Sequence, residues 1–462
     1  MKNVHFVAIG GQGMSGIARI LLRRGYRVSG SDLKESPVTE LLRKEGAQIF
    51  IGHREENVAG ADLVVLSSAI SAENPEVVMA RRRGIPLIHR VDMLVSVIEG
   101  KRIAAVAGAH GKTTTTAMLA WILMKTGKDP TFLVGGELPQ EGNSREGRGR
   151  DAVVETDESD GSFLKIHPDL AIVTNIDHDH LDYWGSVEKL EQAFARFLQG
   201  VREGGKVVYN ADDPRLRKLA CGRNNCVGYS LGSNGDFRAT GFVPDGWSSS
   251  SSVLWGDRML GRLELSVPGR HNVSDALAAF LAARGLYPGE DESFLEALKS
   301  FPGVKRRLQR IGLWDGVLVL DDFAHHPNEI RASLSAVREA LPGSKISVVF
   351  QPHRYSRTRI LKDEFGAAFS QADHLVITSI YAGPGEKAEE GVDAGFILTA
   401  VESFGKPEAL YIPDMYEAAA LAAKMVGPGD VLITMGAGDI SKTHEILADL
   451  LQGGRKVRES DG

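Results

Sequence analysis

Val106-Ala107-Gly108-Ala109-His110-Gly111-Lys112-Thr113-Thr114 follows the apolar run Ile103 to Ala107 and opens a helix-like segment from Thr113 to Met124. Strand, glycine turn, lysine, hydroxyl, helix is the order of a phosphate cradle. Backbone N–H groups in the turn face phosphate oxygens, the helix N-terminus adds partial positive charge, Lys112 reaches terminal phosphates, and Thr113 can hold a magnesium ion. Gly108 through Thr114 therefore form a candidate loop for a nucleoside triphosphate. The competing reading is an ordinary strand-to-helix turn with a chance Gly-Lys-Thr. The usual loop carries a glycine five residues before Gly111. Val106 stands there, so this is a shorter Gly-x-x-Gly-Lys-Thr form.

Two further apolar runs flank the loop in sequence. Asp151-Ala152-Val153-Val154-Glu155 reads as a buried strand ending in a carboxylate, followed by Asp157-Glu158-Ser159-Asp160. Leu170 to Thr174 is another, followed by Asn175-Ile176-Asp177-His178-Asp179-His180. Parallel strands of a doubly wound sheet end on one edge, so Lys112, Thr113, Glu155 and His180 are expected to converge there. Thr113, Glu155 and His180 are the candidate metal ligands. Magnesium suits oxygen ligands shared with phosphates, and the histidine makes manganese possible. Without a ligand, Glu155 is a helix cap and His180 a solvated loop residue. Later in this region Lys206 to Tyr209 reads as a strand, and Val273 to Ala283 as an alanine-rich helix. Ser248 to Ser252, between Trp247 and Trp255, is expected to be an exposed hairpin or loop.

Before the loop, residues 1–100 alternate strands with helical periodicity: Val4 to Ile9, a helix from Met14 to Arg24, Arg27 to Gly30, and Leu63 to Ser67. The turn Gly11-Gln12-Gly13-Met14-Ser15-Gly16 fits Gly-x-Gly-x-x-Gly, and Asp32 closes the second strand where a ribose-binding acid is expected. That fingerprint alone favours NAD and an oxidoreductase. Its glycines require only close approach to a pyrophosphate, which a nucleotide sugar also carries. Ser67 and Ser68 end the third strand, where ligands of α/β sheets bind.

From Lys305 a third α/β unit begins, with strands Gly316 to Leu320, Lys345 to Phe350, Leu375 to Thr378 and Val431 to Thr434. Their ends carry Asp322-Phe323-Ala324-His325-His326, His353-Arg354-Tyr355-Ser356-Arg357, Tyr381 to Gly385, and Gly436-Ala437-Gly438. Guanidinium groups pair with carboxylate or phosphate in bidentate fashion, so His353, Arg354 and Arg357 form a candidate anion site; otherwise they are surface charges after a strand. The tail from Gly453 is polar and expected to fray.

The 462 residues suggest about three domains at one per ~150 residues. Their boundaries are expected at 1–100, 101–304 and 305–462. A net charge of −6 argues against a general nucleic-acid binder, and no apolar run reaches the ~18 residues of a membrane span. Two cysteines, Cys221 and Cys226, fit reduced thiols, and the N-terminus enters a strand rather than a signal segment. A cytoplasmic protein, monomer or homodimer, is expected.

These stretches together resemble the ATP-dependent Mur ligases of bacterial peptidoglycan synthesis over nearly the whole chain. The resemblance is carried by Val4 to Gly16, Gly108 to Thr114, Glu155 to Asp160, Thr174 to His180, Asp322 to Pro327 and Gln351 to Tyr355. It implies an α/β fold of three domains: N-terminal Rossmann-like, central P-loop ATPase-like and C-terminal Rossmann-like. It implies amide formation between L-alanine and the carboxylate of UDP-N-acetylmuramate through an acyl phosphate, with ATP and magnesium.

Residue by residue, Gly11, Gly13, Gly16, Asp32, Ser67 and Ser68 would serve the UDP-sugar. Lys112 would contact the ATP phosphates, Asn272 would face adenine, and Arg307 and Asp322 would close on the nucleotide. His325, His353, Arg354 and Arg357 would lie by the amino acid, with His353 or Asp322 as base for its amine. Lys112, Glu155, His180, Asp322 and His353 are thus the implied catalytic set.

Phe197 stands where many members carry a carbamylated lysine, as in the alanine-adding branch. Asp275 replaces a common second asparagine, Phe323 the usual tyrosine, and Ala109 the usual threonine. A recycling ligase attaching a preformed peptide to the same sugar is the rival enzyme. A nucleotide-operated switch is the rival outside ligase chemistry.

Overall fold

The computed structural model describes residues 2–383 and 386–458. Among these residues the chain forms three sheets, grouped into two compact units. One comprises residues 1–242, 251–265 and 272–302, the other 243–250, 266–271 and 303–462.

The first unit opens with a five-stranded, all-parallel sheet. Its spatial order is Gln48–Ile51, Arg27–Asp32, Asn3–Val7, Leu63–Leu66, Leu87–His89. The order reverses beside Asn3–Val7, the place where such sheets take ligands. Leu87–His89, only three residues long, and Gln48–Ile51 went unseen in the sequence because neither makes a sustained apolar run.

The second sheet has ten strands. Arg102–Ala107 lies at its heart between Asp151–Glu155 and Leu170–Val173, both parallel to it. The helix Lys112–Lys125 buries eleven of its fourteen residues, consistent with a segment apolar on nearly every side. A single apolar core joins Val4, Phe6 and Ile17 beneath the first sheet to Ala105, Val154 and Phe197 beneath the second.

One expectation is corrected in this sheet. Ser248 to Ser252 is not a loop but the start of the strand Ser248–Trp255, which pairs with the preceding strand; Ser248 is exposed, as expected, whereas Ser249, Ser250 and Ser251 are buried. Its neighbours Phe237–Asp245 and Arg258–Leu265 supply hydrogen-bonding partners on both sides, and that pairing overrides the loop preference of serine.

The second unit holds a six-stranded sheet in the order Gln309–Trp314, Val317–Asp322, Val431–Met435, Ile346–Phe350, His374–Ile377, Glu408–Tyr411. All neighbours are parallel except the edge strand Gln309–Trp314. Apolar clusters cover both faces, as a parallel sheet requires. The last helix runs from His444 to Arg458, so the tail expected to fray from Gly453 is helical to that point; residues 459–462 lie outside the described residues. Pro384 and Gly385 of the Tyr381 turn lie outside them too. Cys221 and Cys226 are both free thiols. No helix among the described residues is long and apolar enough to cross a membrane.

Candidate functional site

In the first unit the phosphate loop leaves Arg102–Ala107 through Gly108, whose φ is +137°. A Cβ there would meet Thr174 Oγ1 at 2.1 Å, so only glycine fits. Gly111, φ +78°, caps the N-terminus of helix Lys112–Lys125. Asn175 supports the turn between them, its side chain accepting from the His110 amide at 2.8 Å. His110 itself pairs with Asp177 at 2.8 Å.

Three neighbouring strand tips meet here. Thr113 Oγ1 donates to Glu155 Oε1 at 3.0 Å, and Glu155 Oε2 accepts from the Gly135 amide at 2.6 Å. Lys112 Nζ donates to the carbonyls of Gly108 and Ala109 and to Glu158 Oε1, the last at 2.9 Å. Burial opposes charge on Lys112, but the Glu158 carboxylate outweighs it and holds the ammonium above the ordinary lysine value. His180, φ +56°, brings Nε2 to 3.7 Å from the same Glu158 oxygen. Glu158 thus links the phosphate loop to the third tip.

The other Glu158 oxygen, Oε2, is buried without a hydrogen-bond partner. Asp275, from the helix Arg270–Leu286, lies against Gly111, where an added Cβ would come within 2.5 Å of its carboxylate. Asn272 is buried in the first turn of that helix. Phe197 is also buried, its ring 5.2 Å from that of Phe163, which lies tilted at 5.3 Å from that of Phe194.

A cleft of about 240 Å³ adjoins the loop, lined by Gln12, Gly13, Arg90, Lys112, Glu155 and Asp157 among others. Gly16 lines it too and packs against Ser144 and Leu133 of the second sheet. Gly11 caps the helix Gln12–Arg23. Asp32 ties the glycine turn: Oδ2 accepts from the Gly10 amide at 2.9 Å and Oδ1 from the Leu33 amide at 2.8 Å. Ser67 accepts a turn hydrogen bond from the Ile70 amide, and Ser68 donates to Asp160 at 2.8 Å.

Sequence reasoning gave no role to Arg90 or Glu158. Arg90 follows the three-residue strand Leu87–His89, and the rule that strand ends carry ligands would have found it had that strand been seen.

In the second unit, Asp322 ends Val317–Asp322 fully buried. Its carboxylate accepts from the amides of Leu308 (2.8 Å) and Ala324 (2.7 Å) and from Ser333 Oγ (3.2 Å). Burial pushes its pKa up to about 6, against the pull of Arg307 and those amides. Arg306 and Arg307 stack on Phe323 at 5.1 and 5.2 Å. His325 Nδ1 lies 2.9 Å from the Phe323 carbonyl and 3.5 Å from Glu329, with its ring centroid 5.7 Å from that of His353. Arg357 Nη1 donates to His353 Nδ1 at 3.2 Å. Arg354, φ +70°, sits at the turn into the helix Tyr355–Ile360, its amide bonded to the Tyr381 carbonyl. The unit therefore gathers His325, His353 and Arg357 at one sheet edge.

Parallel α/β sheets built around a lysine-bearing phosphate loop define a nucleotide-handling enzyme of the P-loop class. Three family models cover the chain: "Mur ligase family, catalytic domain" matches residues 3–102, "Mur ligase middle domain" 106–283, and "Mur ligase, glutamate ligase domain" 306–438. The chain is 46% identical over 460 residues to a UDP-N-acetylmuramate--L-alanine ligase of Pelotomaculum thermopropionicum, covering 99% of each. It is 47% identical to one from Rubrobacter xylanophilus, covering 97% of this chain and all of that one. Among solved structures it is similar to the UDP-N-acetylmuramate-alanine ligase of Thermotoga maritima (31% identity, TM-score 0.84, 98% and 100% coverage). It is also similar to a murein peptide ligase of Psychrobacter arcticus (25% identity, TM-score 0.74, 98% and 99% coverage). The chain belongs to the Mur ligase family, with its three-domain α/β fold.

Proposed function

We propose that this chain joins L-alanine to the carboxylate of UDP-N-acetylmuramate, converting ATP to ADP and phosphate, as a cytoplasmic step of peptidoglycan-precursor synthesis. The observation that carries it is end-to-end similarity, at 46–47% identity, to relatives bearing that activity in their names. The peptide-adding rival has more distant likenesses, at 25–28% identity, and the oxidoreductase reading yields to the family.

A carboxylate is a poor electrophile and must be activated. Its oxygen attacks the γ-phosphorus of ATP, the bond to ADP breaks, and an acyl phosphate forms. Phosphoryl transfer of this kind rests on positioning and charge neutralisation, which the Lys112 ammonium and loop amides supply. The alanine amine then attacks the acyl carbon, phosphate leaves with the bonding electrons, and the amine proton passes to a base.

The oxygen donors of Thr113 and Glu155, 3.0 Å apart, together with the orphaned Glu158 Oε2 nearby, suit a hard divalent cation. Thr113, Glu155 and His180 would hold magnesium, or manganese, which neutralises phosphate charge. Histidine tautomers support a choice of base. Arg357 can only donate, so His353 Nδ1 accepts and its proton lies on Nε2. His325 Nδ1 faces a carbonyl and so donates, leaving Nε2 as its basic nitrogen, with Glu329 close by. Asp322 already accepts three hydrogen bonds. His325 is therefore the favoured base, and Asp322 fixes the loop.

The deciding assay is ADP release with UDP-N-acetylmuramate against L-alanine, glycine, L-serine and a tripeptide. L-Alanine should give the highest kcat/KM. Preference for the tripeptide, or ATP hydrolysis without an amide product, would defeat the reading.

A further inference from the structure

The lining of the first unit's cleft includes two cationic side chains, Lys112 and Arg90. Lys112 belongs to the phosphate loop; Arg90 opens the helix Arg90–Val97 directly after the fifth strand of the first sheet. Its Nη1 lies 3.1 Å from where a side-chain carbon on Gly13 would stand, so the guanidinium covers the glycine turn at the reversal point of that sheet. Any side chain at position 13 would push it away. On its other side Nη2 donates to Asp157 Oδ2 at 2.8 Å and lies 3.7 Å from Asp160. Asp157, just past the Glu155 strand tip, is half-exposed at 40% of its side chain, and so offers a carboxylate that an incoming anion can replace.

A glycine turn at a sheet's reversal point lets a diphosphate approach the backbone, and a planar guanidinium recognises such oxyanions with paired hydrogen bonds. Building on the ligase reading, we propose that Arg90 anchors the pyrophosphate of the UDP-sugar, exchanging its resting partner Asp157 for that anion. Arg90 then fixes one end of the substrate while the sugar carboxylate extends toward Lys112. The resting ion pair also keeps Arg90 from lying uncompensated in the cleft.

Calorimetric titrations of wild type, Arg90→Gln, Arg90→Lys and Asp157→Asn test this with three probes: UDP-N-acetylmuramate, UDP-N-acetylglucosamine, which has the pyrophosphate but no lactyl carboxylate, and ADP. Arg90→Gln should weaken both UDP-sugars at least tenfold and leave ADP within twofold, with Arg90→Lys intermediate. Asp157→Asn should leave both sugars as tight or tighter, because it removes the competing anion. A purely structural ion pair would instead make both Arg90→Gln and Asp157→Asn weaken binding, and that pattern overturns the proposal. Unchanged sugar binding in Arg90→Gln overturns it, as does loss confined to UDP-N-acetylmuramate, which would move Arg90 to the carboxylate. Equal loss of ADP also overturns it. A wild type that binds neither UDP-sugar removes the ligase reading itself, and this proposal with it.

Discussion

Lys112 Nζ lies 2.9 Å from Glu158 Oε1, and His180 Nε2 lies 3.7 Å from that same oxygen. One buried carboxylate therefore sets the positions of a lysine from the phosphate loop and a histidine from the third strand tip, groups 68 residues apart in sequence. The indole of Trp184 holds the backbone of Glu158 in turn, donating to its carbonyl at 3.0 Å.

Replacing Glu158 by glutamine keeps the shape and removes the charge. Hydrogen bonds to charged groups are worth about 1.5–3 kcal/mol, so Glu158→Gln should lower the kcat for ADP release by roughly tenfold to a hundredfold. Calorimetric binding of UDP-N-acetylmuramate should stay unchanged. Wild-type turnover in the variant would remove Glu158 from any role in positioning Lys112.

Lys112→Ala should abolish ADP release while sparing UDP-sugar binding. If sugar affinity vanishes along with turnover, the division of labour between the glycine turn and the phosphate loop is wrong.

Gly108→Ala combines a positive φ with a 2.1 Å clash against Thr174 Oγ1. The cost should reach about 3 kcal/mol by denaturant unfolding, since backbone strain and overpacking each contribute ~1–3 kcal/mol. ATP affinity should fall with it. An unfolding midpoint equal to wild type would contradict the loop geometry.

Burial, aided by Arg307, lowers the His271 pKa from the usual 6.5 to about 4. Between those values the unfolded chain binds more protons than the folded one, so this group contributes stability above pH 6.5 that is lost as pH falls toward 4. Asp322 acts oppositely: with its pKa raised to about 6, its contribution is full below the ordinary 3.8 and declines as pH rises through 6. Unfolding free energies of wild type and His271→Gln, compared from pH 7 to pH 4, isolate the histidine. The difference should shift in the variant's favour on acidification, and a pH-independent difference would refute it.

Arg357→Lys keeps a cation but loses the planar fork that reaches His353. The KM for L-alanine should rise by about tenfold while that for ATP stays within twofold. Equal changes in both would mean that Arg357 serves the fold rather than the amino acid.

Much of this was legible because parallel strands end on one edge. From that rule alone, Lys112, Thr113, Glu155 and His180 were expected together, and their strands are adjacent in the sheet. Edge and short strands escaped notice: Gln309–Trp314 and Glu408–Tyr411 are half-exposed, and Leu87–His89 is too short for periodicity, which hid Arg90. The burial of Ser249 to Ser251 was missed because pairing on both sides, rather than composition, decides it. Histidine roles were illegible for another reason. Whether Nδ1 of His325 or of His353 carries a proton depends on a carbonyl or a guanidinium that only folding brings beside it.

The ring of Phe197, wedged against Phe163, has a metabolic corollary. A lysine carbamate is a reversible adduct of dissolved carbon dioxide, so an enzyme that relied on one would depend on bicarbonate. By the family resemblance an inert hydrocarbon, Phe197, stands at that position, so thorough degassing of the buffer should leave turnover untouched. The alanine-adding step would then run at the same pace whatever gas the cell breathes.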